Sequence, residues 1–129
     1  MGKQLLRQML TEKPKMKVVL IDPRPGLLPE FGLTDEQALH FQGDMADMAM
    51  LKQANIQKAS LVVLSAREDA LNLETAYKVL QLNPDVPIWV RLHHSGLAEL
   101  LELSDQPNIH FFCPYQQAAQ AIVDYMIEK

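Results

Sequence analysis

Lys17-Val18-Val19-Leu20-Ile21-Asp22 decides how the rest of this chain reads. An unbroken aliphatic run of this length suits a strand covered on both faces, as strands of a parallel sheet are. The run ends in an acid and meets Pro23, Arg24 and Pro25. An acid at the C-terminal end of such a strand stands where open α/β sheets place their ligands.

Outward from this strand, helix and strand signals alternate. Upstream, Leu5, Leu6, Met9 and Leu10 form one apolar stripe and predict a helix over Gly2–Glu12, broken by Lys13-Pro14-Lys15. Downstream, Pro23 to Gly32 reads as a loop. Thr34-Asp35-Glu36-Gln37 fits a capping box and predicts a short helix from Thr34. His40-Phe41-Gln42 reads as a brief strand ending at Gly43-Asp44, and Asp44 is expected to cap a helix through Ala54, with Met48 and Leu51 inward. Ser60–Ser65 is a second buried strand. The strongest helix signal is Asp69–Leu82, with Leu73, Ala76, Tyr77 and Leu80 on its expected inner face and Asn83-Pro84 as its stop. Strands over Pro87–Leu92 and Ile109–Cys113 follow, with a helix from Ser95 to Leu103 between them. Pro114 opens a last helix to Glu128, with Ala119, Ile122, Val123 and Met126 inward. This order predicts an α/β fold: a doubly wound, Rossmann-like parallel sheet with helices on both faces and right-handed crossovers.

The bulk properties narrow the functional classes. At 129 residues the chain has room for one domain. A net charge of -4 gives no basic groove for nucleic acid and no attraction to anionic lipid. No apolar run approaches the roughly 20 residues that span a bilayer. Cys113 is the only cysteine, which excludes an internal disulfide and fits a cytoplasmic setting.

The chemistry-bearing residues gather at strand ends. Asp22 ends one strand, with Arg24 two residues on. Gly43-Asp44 follows the next, Ser65-Ala66-Arg67 the one after, and Arg91 stands near the end of the fourth. In a parallel sheet all of these lie at the C-terminal edge, where a nucleotide binds. Glycine admits close backbone approach. An arginine fork suits a diphosphate.

These residues carry a resemblance. Val18-Val-Leu-Ile-Asp22, Phe41-Gln-Gly-Asp44, Leu51-Lys-Gln-Ala54, Leu61-Val-Val-Leu64, Glu68-Asp69 with Asn72, Asn83-Pro-Asp85 and Ile88-Trp-Val-Arg91 occur in an order and spacing that resembles the TrkA N-terminal domain, also called the RCK domain, regulator of potassium conductance. The resemblance implies a Rossmann fold that binds NAD(H), NADP(H), ATP or ADP and gates a potassium channel or transporter. NAD(H) stands first among these ligands and ATP or ADP second. It further implies that Asp22 meets the adenosine ribose, Gly43 and Asp44 the adenine, Ser65 and Ala66 the phosphate side of the pocket, and Arg91 the diphosphate. Asn72 matches a recurrent family position. An acid at Asp22 favours a free ribose over a 2′-phosphate, while Arg24 pulls the other way and belongs to the same candidate set.

The chain departs from the family at its front. Members open with a strand and Gly-x-Gly-x-x-Gly, whereas Gly2-Lys-Gln-Leu-Leu-Arg-Gln-Met-Leu matches what begins at the third glycine. The absent strand is a central one. The domain is therefore expected over 1–129 with its N-terminus incomplete. A shortened chain is the preferred explanation; the alternatives are a strand from another chain, or a sheet closed by pairing the Lys17–Asp22 and Ser60–Ser65 strands directly.

Other signals are weaker. His93-His94 lacks the partners of a tetrahedral metal site and reads as an exposed loop pair. Cys113 reads as a small buried hydrophobe, and Met45, Met48 and Met50 as packing residues. Tyr125-Met-Ile-Glu-Lys129 has the Tyr-x-x-x-Lys spacing of short-chain dehydrogenases, at a position that makes coincidence the better reading. With no nucleophile or acid–base pair in evidence, the leading expectation is a non-enzymatic regulatory domain, cytoplasmic or peripheral at the inner membrane through its partner, and homo-oligomeric. A ligand-free assembly module and a small NAD(P)-dependent oxidoreductase are the alternatives.

Overall fold

The computed structural model describes residues 2–93, 106–112 and 116–128. Along the chain they form α1 (Gly2–Glu12), β1 (Val18–Ile21), α2 (Leu27–Glu30), β2 (Ala38–Phe41), α3 (Met48–Gln53), a 3₁₀ turn (Ile56–Lys58), β3 (Val62–Leu64), α4 (Asp69–Leu82), β4 (Ile88–Arg91), β5 (Ile109–Phe112) and α5 (Gln116–Glu128). The expected Ser95–Leu103 helix, Cys113 and Pro114 lie outside the described residues.

All pairing is parallel, in two sheets. One has the order β1-β2 and the other β3-β4-β5. The alternation of side chains along β3 and β4 builds two cores. Val62, Leu64, Ile88 and Val90 point to one side and pack with Leu51 of α3 and Ala76 and Val79 of α4. Val63 and Trp89 point to the other side, where Leu5 and Met9 of α1 meet Phe112 and Ile122, Val123 and Met126 of α5. The doubly wound architecture follows directly from this alternation.

The two sheets do not merge. Val18 N–H donates to Gln37 O at 3.3 Å and Asp22 N–H to Phe41 O at 3.2 Å, so the even-numbered residues of β1 bond toward β2. The backbone of Val19 and Ile21 therefore faces away from β2. Likewise Val62 N–H donates to Pro87 O at 3.0 Å, which turns Val62 and Leu64 toward β4 and Val63 away from it. Direct pairing of β1 with β3 is thus not what this chain does. Ile21 nevertheless packs against the core containing Val62 and Leu64. Among the described residues no strand lies between β1 and β3.

Several local expectations are corrected. The Pro23–Gly32 loop contains α2, bounded by Gly26 at φ 69° and Gly32 at φ 71°. Those left-handed positions favour glycine. Gln37 does reach back, its Oε1 accepting from Thr34 N–H at 2.9 Å, but β2 begins at Ala38 and no helix grows from the motif. Asp44 does not cap α3. Its Oδ1 accepts from Ala46 N–H at 2.9 Å in a turn, and Asp47 is the cap, accepting from Ala49 N–H at 3.0 Å. On α4, Ala76 is buried and Leu73 and Leu80 pack against the same core as expected, but Tyr77 is 65% exposed and the fully covered positions are Asn72, Thr75, Ala76 and Val79. The covered face shifts toward Asn72 and Thr75 because these polar side chains find hydrogen bonds inside, which an apolar-periodicity count does not register. In α5, Ile122, Val123 and Met126 are buried as expected; the side chain of Ala119 lies outside the described residues.

Asparagine side chains brace the N-terminal edge. Asn83 Nδ2 donates to Ile56 O and Ala59 O, and Asn108 Nδ2 to Pro84 O and Val86 O. The loops that start β3, β4 and β5 are thus fixed, and the C-terminal edge is left for the candidate site.

Candidate functional site

The strand-end residues form two groups. The first is built on β1 and β2. Asp22 follows β1, and its backbone is held by Phe41 O and by Gly43 N–H, which donates to Asp22 O at 3.2 Å. Asp22 O also accepts from His40 Nε2 at 3.1 Å, so that nitrogen carries a proton. Arg24 folds back onto the carboxylate: its backbone N–H and Nε meet Oδ1 at 2.8 and 3.1 Å, and Nη2 meets Oδ2 at 3.1 Å. This is a bidentate fork. Burial pushes the Asp22 carboxyl up, but the hydrogen bonds and charge of Arg24, with the charge of His40, outweigh it and the net direction is down. The same hydrogen bond, with the Asp22 charge behind it, raises Arg24.

Gly43 lies where a Cβ would come within 2.3 Å of Met50 Cε. Met50 thereby covers the glycine, and its flexible tip is what a side chain there would have to displace. Asp44 beside it is exposed, with one carboxylate oxygen used by its own turn.

The second group is built on β3, α4 and β4. Asn72 is fully buried and ties three backbone atoms together: Oδ1 accepts from Ala66 N–H at 3.1 Å, and Nδ2 donates to Ala66 O and Arg91 O, both at 2.9 Å. It is a bolt from α4 through the β3–α4 loop to the end of β4. Arg91 Nη1 donates to Ser65 O at 3.2 Å and Nη2 to His93 Nε2 at 3.3 Å. Arg91 Nε is buried without a hydrogen-bond partner. His93, exposed, is held in turn by Asp69, whose Oδ1 accepts from His93 N–H at 2.8 Å and lies 3.3 Å from Nδ1.

The structure therefore brings Asp22, Arg24, Gly43 and Asp44 together, and separately Ser65, Ala66 and Arg91. Among the described residues no hydrogen bond links Asp22, Arg24, Gly43 or Asp44 to Ser65, Ala66 or Arg91. Sequence reading missed His40, Asp69 and His93 as members. The signal for His93 was its position two residues past Arg91 on the same side of the chain, and for Asp69 its place in the first turn of α4. Of the His93-His94 pair, His93 is exposed and His94 lies outside the described residues; among the described residues no cluster of His, Cys, Asp and Glu forms a metal site. Tyr125 of the Tyr-x-x-x-Lys pattern stands on the α1–α5 side, in an aromatic cluster 5.9 Å from Trp89 and 5.6 Å from His110. Lys129 lies outside the described residues.

Parallel strands, helices on both faces and polar residues at the C-terminal strand ends define the Rossmann-like class of nucleotide-binding folds. Residues 1–107 match the TrkA-N domain family, and the chain belongs to that family. No curated protein matches it. Among solved structures it is similar to the TrkA-N domain of the inner membrane protein ybaL from Escherichia coli, at 15% identity and TM-score 0.70, covering 95% of this chain and 87% of that one. It is also similar to the NAD(P)-binding domain of an exopolyphosphatase-related protein from Archaeoglobus fulgidus, at 19% identity and TM-score 0.66, covering 99% and 91%. A third is the Kef CTD of Shewanella denitrificans in AMP-bound form, at 16% identity and TM-score 0.68, covering 97% and 84%. At these identities the likeness establishes the fold. Among the described residues no helix is long and apolar enough to cross a membrane.

Proposed function

We propose that this domain, over residues 1–129, is a regulatory nucleotide-binding domain that responds to NAD(H), with ATP or ADP second, and acts on a potassium channel or transporter at the cytoplasmic face of the membrane. The observation that carries the reading is Arg91, a strand-end guanidinium with one buried N–H unmatched in a family of nucleotide-binding domains. A phosphate oxygen is an acceptor of the right charge for that donor.

In this reading Asp22 takes the adenosine ribose, with Arg24 moving aside for a diol or turning to a 2′-phosphate. Gly43 and Asp44 border the adenine, Ser65 and Ala66 the phosphate side, and Arg91 the diphosphate. The residues present fit a nucleotide in charge and donor type. Mechanism is linkage: a nucleotide contacting both groups favours the arrangement in which they are correctly spaced, and a partner membrane protein reads that population. No step of it requires covalent chemistry, so the domain is read as non-enzymatic. The TrkA-N domain of ybaL belongs to an inner membrane protein, and the Kef structure holds AMP, which supports a membrane transport partner and adds AMP to the ligands worth testing.

Calorimetric titration with NADH, NAD, ATP, ADP and AMP tests the reading. Binding that weakens in Arg91→Ala and Asp22→Ala supports it; no heat with any of the five rejects it.

One observation favours the assembly-module reading. Val19 and Leu39 stand opposite one another in register and are 42% and 57% exposed. Light scattering with and without nucleotide separates the two, since a nucleotide-independent oligomer without affinity favours assembly alone.

A further inference from the structure

We propose that Asp69 and His93 are positioning residues that set the direction of the Arg91 guanidinium at the C-terminal edge. The inference rests on the nucleotide reading for its purpose and on hydrogen-bond logic for its geometry.

A guanidinium has five N–H donors and no acceptor. Arg91 Nη2 lies 3.3 Å from His93 Nε2, so that nitrogen accepts and the ring proton sits on Nδ1. Nδ1 faces Asp69 Oδ1 at 3.3 Å, and the same oxygen accepts from the His93 backbone at 2.8 Å. The order is carboxylate, imidazole, guanidinium, with each proton donated toward the carboxylate end. Asp69 belongs to the first turn of α4 and is fixed by the helix. Three residues on, Asn72 of the same helix holds Arg91 O at 2.9 Å. One helix therefore grips Arg91 twice, at its carbonyl through Asn72 and at its fork through Asp69 and His93. Ser65 O takes a further N–H at 3.2 Å.

A long arginine side chain immobilised only by its ligand loses rotamer freedom on binding, and that loss lowers affinity. Held in advance by His93 and Ser65, Arg91 arrives oriented. Asp69 and His93 touch no phosphate in this scheme and act through Arg91.

Two measurements on the full chain test the inference. Imidazole ¹⁵N shifts in the free protein are expected to show His93 protonated on Nδ1, and Asp69→Asn is expected to disturb that state. A ring protonated on Nε2 overturns the proposal whether or not any nucleotide binds. NADH titration is expected to weaken about three- to tenfold in His93→Ala, the range that ordering one flexible side chain spans. His93→Gln, whose carbonyl can accept from Arg91, is expected to restore affinity to within about twofold. In an Arg91→Ala background His93→Ala is expected to cost nothing more, which a merely structural role would not produce. The same loss in both backgrounds overturns the positioning role. If NADH does not bind the unaltered chain, the nucleotide reading loses its first ligand, while the tautomer still decides the geometry. Matching thermal melts exclude a folding defect as the source of any loss.

Discussion

Replacing Asn72 by alanine is expected to destabilise the domain by about 3–4 kcal/mol. The side chain is fully buried and serves three backbone atoms: Ala66 N–H, Ala66 O and Arg91 O. A hydrogen bond contributes about 1 kcal/mol net, and a buried partner left unmatched costs about 1–3 kcal/mol. Three such bonds give about 3 kcal/mol, and the orphaned partners, which water reaches in part, add somewhat more. Against a typical stability of about 5–15 kcal/mol this is a large fraction. With a urea m-value of about 1.5–2 kcal/mol/M, the midpoint falls by about 2 M. Asn72→Asp is expected to cost more still. Its carboxylate keeps the Ala66 N–H bond but confronts two carbonyl oxygens that Nδ2 now meets at 2.9 Å. Urea unfolding followed by circular dichroism is the assay. A loss under about 1 kcal/mol in Asn72→Ala, with m unchanged, would refute the idea that this asparagine bolts β3, α4 and β4 together.

The remaining predictions follow from the site and the cores. Val79→Ala, at a fully buried position, is expected to cost about 2–3 kcal/mol in lost transfer energy and cavity, whereas exposed Tyr77→Ala stays within about 0.5 kcal/mol; the reverse order in urea midpoints contradicts the face assigned to α4. The Asp22–Arg24 contact is present above the ordinary carboxylate pKa of about 3.9 and is lost as pH falls through the lowered value in the folded chain. Asp22→Asn should therefore flatten part of the acid limb of a stability–pH curve. Because Arg24 is 62% exposed, the loss at pH 7 is expected to remain under about 1 kcal/mol. Gly43→Ala displaces only the tip of Met50, so its melting temperature should hardly change while nucleotide affinity falls; a large loss of stability shows that Met50 is pinned.

Legibility in the sequence was greatest where backbone type follows from composition. Gly2–Glu12 and Asp69–Leu82 are helices with the expected bounds, and the aliphatic runs around Leu20, Val63 and Val90 are strands. It was weakest where two local rules compete. Thr34 and Gln37 make the hydrogen bond of a capping box, yet the demand of β2 for pairing with β1 overrides helix growth. Asp44 and Asp47 are both good caps three residues apart, and only the turn closed by Asp47 N–H onto Asp44 O decides between them. At the site, chain order located the strand ends, because every strand of a parallel sheet ends on the same edge. It did not reveal that Arg24 occupies the Asp22 carboxylate or that His93 and Asp69 line up behind Arg91. The first contact depends on how the turn through Pro23 folds Arg24 back onto Asp22, and the second joins side chains whose meeting depends on the packing of α4 against β4.

The separation of β1 from β3 has a consequence for amide exchange. Val18 and Leu20 bond into the β1–β2 ladder, while Val19 and Ile21 send their amides the other way. Protection along β1 should therefore alternate residue by residue, and Val63 should exchange faster than Val62 and Leu64 on either side of it. Side-chain packing by Ile21 couples the halves without backbone bonds to hold them in step. A nucleotide spanning Asp22 and Arg91 would stitch the halves together, so a rise in protection at Val19, Ile21 and Val63 on binding would be a direct spectroscopic trace of the two sheets being held in step.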